Sequence, residues 1–169
     1  MWVWYDIFTN NRNEVDNMHI QENITLTAHN LISYRGTHTA QELRTITETM
    51  ETYIATYGVA QTGKLIMALH TTCKTTGATD AQVYLPVGKV LPDGEGFTFV
   101  PQLDVQNCLL VRFEGMPQQV PEVFVALLEK ANEVGNSIKP PAYIVAENQL
   151  AGNSNRLDAD VYVEVEHKI

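Results

Sequence analysis

The chain has 169 residues, of which 44% are hydrophobic and 18% charged, a composition that is typical of a soluble globular protein and excludes a disordered one. Its 11 Lys and Arg against 20 Asp and Glu give a formal net charge of −9, which argues against nucleic acid and anionic membranes as direct partners. The sequence shows no signal peptide, no bilayer-length apolar segment and no disulfide framework, so we expect a cytoplasmic protein.

The first part of the chain divides into an arm and a strand. Residues 1–22 hold both tryptophans and match nothing later in the sequence, so we expect them to form an N-terminal arm. Alternating apolar residues then predict a strand over residues 24–35, interrupted near His29 and Asn30.

A helix and two strands follow. Thr39 and Glu42 have the spacing of a capping box, in which each side chain satisfies a backbone N–H at the start of a helix. Apolar residues recur behind them at steps of three and four, and Gly58 supplies the left-handed residue that ends the helix. Short apolar runs predict strands over residues 64–70 and 82–87.

Residues 88–101 are expected to form a hairpin linker, because the turn signal Pro92-Asp93-Gly94 has apolar residues on both sides. The second half then has the same order of elements. They are a strand over 102–115, a helix with Pro121 in its first turn and Gly135 at its end, and strands over 142–147 and 160–166.

The two halves also resemble each other in sequence. Residues 80–87 (DAQVYLPV) and 158–165 (DADVYVEV) share five of eight residues at an offset of 78. We therefore expect two β-α-β-β repeats, 23–87 and 102–166, within a single α+β domain over 23–169. Each repeat would contribute antiparallel strands and one main helix, with a pseudo-twofold axis between the repeats.

Side chains alternate along a strand, so the last strand of each repeat has an aliphatic face and a polar face with one tyrosine, Tyr84 or Tyr162. The aliphatic faces must meet the helices. The tyrosine faces then form one shared concavity, which suits small organic molecules and especially cations. The alternative is that this face is exposed to solvent and binds nothing, because antiparallel sheets often have one solvent-exposed face.

The segments YRGTH at 34–38 and FEG at 113–115, together with the duplicated strands, resemble the gyrase-inhibitor-like (GyrI-like) domains of the SOUL-type fold. These are also called bacterial transcription-activator effector-binding domains. The resemblance implies a bacterial protein with a ligand groove between its halves. Relatives act as drug sensors behind DNA-binding domains, stand alone as binding proteins, or hydrolyse small toxic compounds. Residues 1–22 are too few for a helix-turn-helix domain, so we expect a stand-alone binding protein.

The sequence shows no nucleophile motif, phosphate loop or paired histidines, so we assign no catalytic residue, metal ligand or cofactor. Cation-binding relatives carry a glutamate just before an aromatic residue, where this chain has Pro141-Ala142 before Tyr143. The class of ligand, cationic or aromatic, therefore stays open. The candidate ligand-binding residues are Tyr84, Tyr162, Tyr143, Met67, Glu147 and Glu164.

Two alternatives remain open. In the first alternative, the chain is a protein-interaction module that uses its acidic surface or residues 1–22. An exposed edge strand would also favour a homodimer. In the second alternative, the chain is a weak hydrolase, in which Glu164 or Glu147 in an apolar groove acts as a base beside a tyrosine.

Overall fold

The computed structural model describes residues 19–72, 75–116, 119–146 and 157–167. Most of the arm expected over 1–22 lies outside these ranges. The chain forms the expected α+β fold, in which a strand, a helix and two strands are followed by the same series again. The elements are β1 (Ile20–His38), α1 (Ala40–Thr56), β2 (Leu65–Thr72), β3 (Thr79–Pro86), β4 (Thr98–Gly115), α2 (Val120–Glu133), β5 (Asn136–Ala146) and β6 (Leu157–His167).

The strands pair antiparallel into one closed barrel in the order β1-β3-β2-β5-β6-β4, and β4 returns to β1. Every one of these six strands therefore has two neighbours. The expectation of an exposed edge strand, which favoured a homodimer, is wrong for the described strands because β1 and β4 pair with each other. Neither described helix, with 17 residues in α1 and 14 in α2, has the length and hydropathy to cross a bilayer.

Both helices begin and end as the sequence predicts. The Thr39 side chain accepts a hydrogen bond from the Glu42 backbone at 3.3 Å, and the Glu42 carboxylate accepts one from the Thr39 backbone at 2.7 Å. Pro121 lies in the first turn of α2, where its missing N–H leaves no hydrogen bond unmade. Gly58 and Gly135 follow the two helices with φ of +65° and +74°, a conformation that favours glycine.

β1 and β4 are longer than expected because each bends and continues. Asn30 and Asn107 have φ of +52° and +56°, the left-handed conformation that asparagine tolerates better than most residues. The predicted interruption near His29 and Asn30 is therefore a bend. It allows β1 to pair with β4 over its first part and with β3 over its last part. The division into repeats 23–87 and 102–166 stays a prediction.

The turn after β3 and the start of β5 differ from the sequence expectations. The turn after β3 is centred on Glu95 and Gly96, both with positive φ, two residues beyond the expected signal at Pro92-Asp93-Gly94. β5 begins at Asn136, although Pro140 and Pro141 cannot donate hydrogen bonds to a neighbouring strand. The pairing of β5 with β6 shifts register between Lys139 and Ala142, so the prolines lie in an irregularity of the ladder.

The hydrophobic core has three parts, two beneath the helices and one inside the barrel. α1 packs on β1, β2 and β3, and the aliphatic face of β3 with Val83 and Leu85 lies beneath it, as expected. α2 packs on β4, β5 and β6, with Val161 and Val163 beneath it. We call these surfaces the helix face of the barrel wall. The third cluster consists of Leu26, Leu31, Ile66, Ala68, Tyr84, Val105, Cys108 and Tyr143.

Candidate functional site

The third cluster defines the interior surface of the barrel, which we call the tyrosine face. Tyr84 and Tyr143 are buried there, and the partly buried Tyr162 packs against the same cluster. These residues point inward because each alternates with a residue that packs beneath a helix, as Tyr84 does between Val83 and Leu85. The duplicated tyrosines thus lie on the side of the sheet away from the helices.

The strand register brings the three rings into one region of the wall. Tyr143 and Tyr162 lie directly opposite each other on β5 and β6. Tyr84 on β3 lies opposite Ile66 on β2, and Ile66 lies opposite Val145 on β5. The rings therefore occupy three of four consecutive strands, β3-β2-β5-β6.

Burial and neighbouring groups shift the pKa values of these three tyrosines. Burial raises the pKa of the Tyr143 phenol to about 12, and the nearby Tyr84, Glu164 and Cys108 add to the shift. Burial likewise raises the pKa of Tyr84 and of Tyr162. All three phenols therefore stay protonated at neutral pH and can donate hydrogen bonds.

No hydrogen bond joins the hydroxyl of Tyr84, Tyr143 or Tyr162 to another described residue, and the buried side-chain atom without a partner in the described part of the chain is His70 Nε2, not one of these hydroxyls. Two tyrosines of the α1 cluster differ, because the Tyr34 hydroxyl bonds His38 Nε2 at 2.7 Å and the Tyr53 hydroxyl donates to the Pro92 carbonyl at 2.6 Å. Because the three phenol oxygens are not fully buried atoms, water or a ligand can satisfy them.

Charged residues on the tyrosine face are paired across neighbouring strands. The Arg35 guanidinium contacts the Asp80 carboxylate at 3.1 Å, and its hydrogen bonds lower the pKa of Asp80. Arg112 on β4 contacts Asp160 on β6 at 3.4 Å and Glu114 on its own strand at 3.8 Å. Lys139 on β5 contacts Glu164 on β6 at 3.5 Å.

Two further residues of this face were not selected by the sequence pattern. Burial and the nearby Arg35 lower the pKa of His70 on β2, and its Nε2 atom is buried without a partner among the described residues. Cys108 on β4 is fully buried, and burial raises the pKa of its thiol to about 11. Its inward position depends on the bend at Asn107, which no local motif announces.

The structure brings four of the six candidate residues together, namely Tyr84, Tyr143, Tyr162 and Glu164. It does not bring Met67 to them. Met67 lies between the inward Ile66 and Ala68, so it faces outward and packs in the α1 cluster. Glu147 lies outside the described residues.

The chemistry of this surface favours reversible binding. A thiol with a pKa near 11 is a poor nucleophile at neutral pH, since the thiolate is the reactive form. The Glu164 carboxylate forms an ion pair with Lys139 at 3.5 Å. Within the described ranges, no group of three or more His, Cys, Asp and Glu side chains could hold a metal ion.

Comparisons with known proteins show likeness in structure alone. No family model and no curated protein matches the sequence. The crystal structure of the EcmrR C-terminal domain matches with a TM-score of 0.72 and 10% identity, over 90% of this chain and 99% of that one. A hydrolase from Listeria innocua matches with a TM-score of 0.58 and 7% identity, over 88% of this chain and 91% of that one.

The EcmrR chain in a cryo-EM structure of its DNA complex matches with a TM-score of 0.67 and 11% identity. The match covers 89% of this chain and 57% of that chain, so this chain spans little more than half of that protein's length. At these identities the likeness shows the fold alone. The chain adopts the GyrI-like, SOUL-type fold that the sequence resemblance implied.

Proposed function

We propose that this chain binds a small aromatic molecule inside the barrel, on the tyrosine face. The observation that carries the proposal is the set of three phenols, Tyr84, Tyr143 and Tyr162, whose hydroxyls make no hydrogen bond to another described residue. They lie among the apolar side chains of the third cluster. Apolar walls with a few convergent polar groups are the usual composition of a small-molecule site.

The fold supports the same assignment. The GyrI-like domains that the sequence resembles are effector-binding domains, and this chain matches 99% of the EcmrR C-terminal domain in structure. We infer that the chain acts as a ligand-binding protein and that its physiological role follows from the molecule it holds.

The proposal is tested with N-phenyl-1-naphthylamine, an uncharged dye whose fluorescence rises in apolar surroundings. Tyr143→Leu removes an inward ring and its hydroxyl, which should weaken binding by about fivefold or more. Tyr57→Leu, at the exposed end of α1, is the matched control and should leave the affinity unchanged. A dye that does not bind, or that binds both variants as it binds the unmodified protein, would refute the proposal.

The hydrolase alternative has one observation in its favour, the shared fold with the Listeria innocua hydrolase. It needs Glu164 as a free base, and Glu164 contacts Lys139. Slow hydrolysis of p-nitrophenyl acetate that disappears in Glu164→Gln would support this function, and an unchanged background rate would eliminate it.

A further inference from the structure

Three polar side chains contact each other where β1 passes into α1, in and just after the segment YRGTH at 34–38. The Tyr34 hydroxyl lies 2.7 Å from His38 Nε2. The other ring nitrogen, His38 Nδ1, lies 3.4 Å from the Glu42 carboxylate. We call these three side chains the triad. They lie outside the barrel, because Tyr34 packs in the α1 cluster and not in the interior one.

The direction of the hydrogen bonds in the triad follows from Glu42. Hydrogen bonds from Thr39, together with the nearby His38, lower the pKa of Glu42, so its carboxylate is ionised and can only accept. His38 Nδ1 therefore carries the imidazole proton, and Nε2 accepts a hydrogen bond from the Tyr34 hydroxyl. A nucleophile, a base that accepts its proton and a carboxylate that orients the base form the arrangement of hydrolytic triads.

The surroundings hold Tyr34 and His38 in this contact. Their ring centroids are 5.6 Å apart, and the Tyr34 ring meets Phe97 edge to face at 6.3 Å. Gly36 lies between them on β1, and a Cβ atom there would come within 2.7 Å of His38 Nε2 and 3.0 Å of the Tyr34 hydroxyl. Only glycine leaves the room in which these two groups meet.

The second half of the chain has a similar glycine without the same chemistry. Phe113 precedes Gly115 as Tyr34 precedes Gly36, and its ring would lie 3.2 Å from a Cβ atom on Gly115. Phe113 has no hydroxyl, and the nearby Gln119 side chain accepts a hydrogen bond from the Met116 backbone. The passage from a strand into a helix therefore does not itself require a phenol bonded to an imidazole.

We propose that Tyr34 is a nucleophile for activated esters, with His38 as its base and Glu42 as the residue that orients His38. His38 takes the phenol proton while the Tyr34 oxygen bonds to the carbonyl carbon of the ester. The bond to the leaving oxygen then breaks, and the leaving group departs with the proton from His38. Water attacks the acyl-tyrosine and passes a proton through His38 to the Tyr34 oxygen, which releases the acid and restores the phenol.

The leaving group determines which esters react in this way. A phenol is a stronger acid than an aliphatic alcohol, so the tetrahedral intermediate expels Tyr34 rather than an alkoxide. The substrates are therefore esters of acidic phenols or enols. The His38 side chain is 26% exposed, so such a molecule reaches the triad from solvent. Tyr34 is partly buried, which favours a small acyl group.

p-Nitrophenyl acetate is a suitable probe, because p-nitrophenol is more acidic than the phenol of tyrosine. After incubation and acid quenching of the unmodified protein, peptide mass spectrometry should find acetyl-Tyr34. Tyr57 is the internal control, because it is 43% exposed and lies outside the triad. If exposure alone determined reactivity, Tyr57 would be acetylated as fast as the partly buried Tyr34. That result, or no acetyl group on Tyr34, refutes the proposal.

Variants of the other two members test their roles. His38→Gln removes the base, so acetylation of Tyr34 should slow by about 100-fold. Glu42→Gln keeps a side chain that can complete the capping box but loses the charge, and should slow it by about fivefold. Glu48→Gln, at an exposed position of the same helix, is the matched control and should have no effect.

Unchanged acetylation of Tyr34 in His38→Gln, or equal losses in Glu42→Gln and Glu48→Gln, overturns the assignment of the triad. Circular dichroism of each variant establishes that α1 is intact. Because the triad lies outside the barrel, Tyr34→Phe should lose acetylation at this position and bind the dye as the unmodified protein does. Failure of the triad therefore leaves the proposed binding inside the barrel untouched.

Discussion

The two faces of the barrel wall are built from the same strands and differ in nearly every property. Beneath the helices, Ile32, Leu85 and Val161 are 0% exposed and belong to aliphatic clusters. On the interior, Tyr84 and Tyr143 are almost as deeply buried, but their hydroxyls have no partner among the described residues. The difference teaches that burial alone does not identify a structural core. The helix face is purely aliphatic at these positions, whereas the tyrosine face carries phenol hydroxyls that make no hydrogen bond to another described residue.

The largest effect is expected from a truncation on the helix face. Leu85→Ala removes a fully buried side chain beneath α1, so the free energy of unfolding should fall by about 2–5 kcal/mol. Urea denaturation followed by circular dichroism measures this loss. Val90→Ala, at a side chain that is 70% exposed, should change stability by less than about 0.5 kcal/mol. Equal losses in the two variants would contradict the role given to the helix face.

The next effect comes from the interior at high pH. Because burial raises the pKa of Tyr143 to about 12, the folded protein disfavours the phenolate. This contribution to stability is complete below the ordinary tyrosine pKa of 10 and is lost as the pH rises from 10 towards 12. By pH 11.5 the loss should be about 2 kcal/mol.

Tyr143→Phe has no phenol to ionise, so its stability should fall less between pH 9 and pH 11.5 than that of the unmodified protein. Urea denaturation at the two pH values gives both changes. Parallel losses in the two proteins would show that the Tyr143 phenol is not desolvated in the barrel.

A smaller effect is expected where a tyrosine hydroxyl does have a partner. Tyr53 on α1 donates to the Pro92 carbonyl at 2.6 Å, so Tyr53→Phe removes one hydrogen bond and should cost about 1 kcal/mol. Thermal unfolding at neutral pH measures this difference. No loss of stability would mean that the bond to Pro92 is replaced by water without penalty.

The smallest effect on stability should come from Tyr84→Phe, although Tyr84 is buried in the barrel wall. Its hydroxyl makes no hydrogen bond to the described residues, so the free energy of unfolding should stay within about 0.5 kcal/mol. A marked loss of stability would show that the hydroxyl supports the fold.

The sequence predicted those parts of the molecule that depend on local patterns. The capping box of Thr39 and Glu42 and the glycines after each helix depend on a few neighbouring residues, and period-two alternation placed Tyr84 and Tyr162 on one face. Met67, one of the six candidate residues, lies on the helix face because it alternates along β2 with the inward Ile66 and Ala68.

Other features depend on pairing between distant strands, which local patterns do not encode. Arg35 and Asp80 are 45 residues apart in sequence, and Arg112 and Asp160 are 48 apart. Only the register of β1 with β3 and of β4 with β6 brings each pair together. The ion pairs of the tyrosine face could therefore be identified only from the three-dimensional structure.

The pairing of β1 with β4 completes the ring of strands, and this has a kinetic consequence. Opening the wall sideways would break a whole ladder of backbone hydrogen bonds, so a molecule bound as proposed above would enter and leave through the ends of the barrel. Its dissociation rate, measured by stopped-flow dilution of the bound dye, would report on that route.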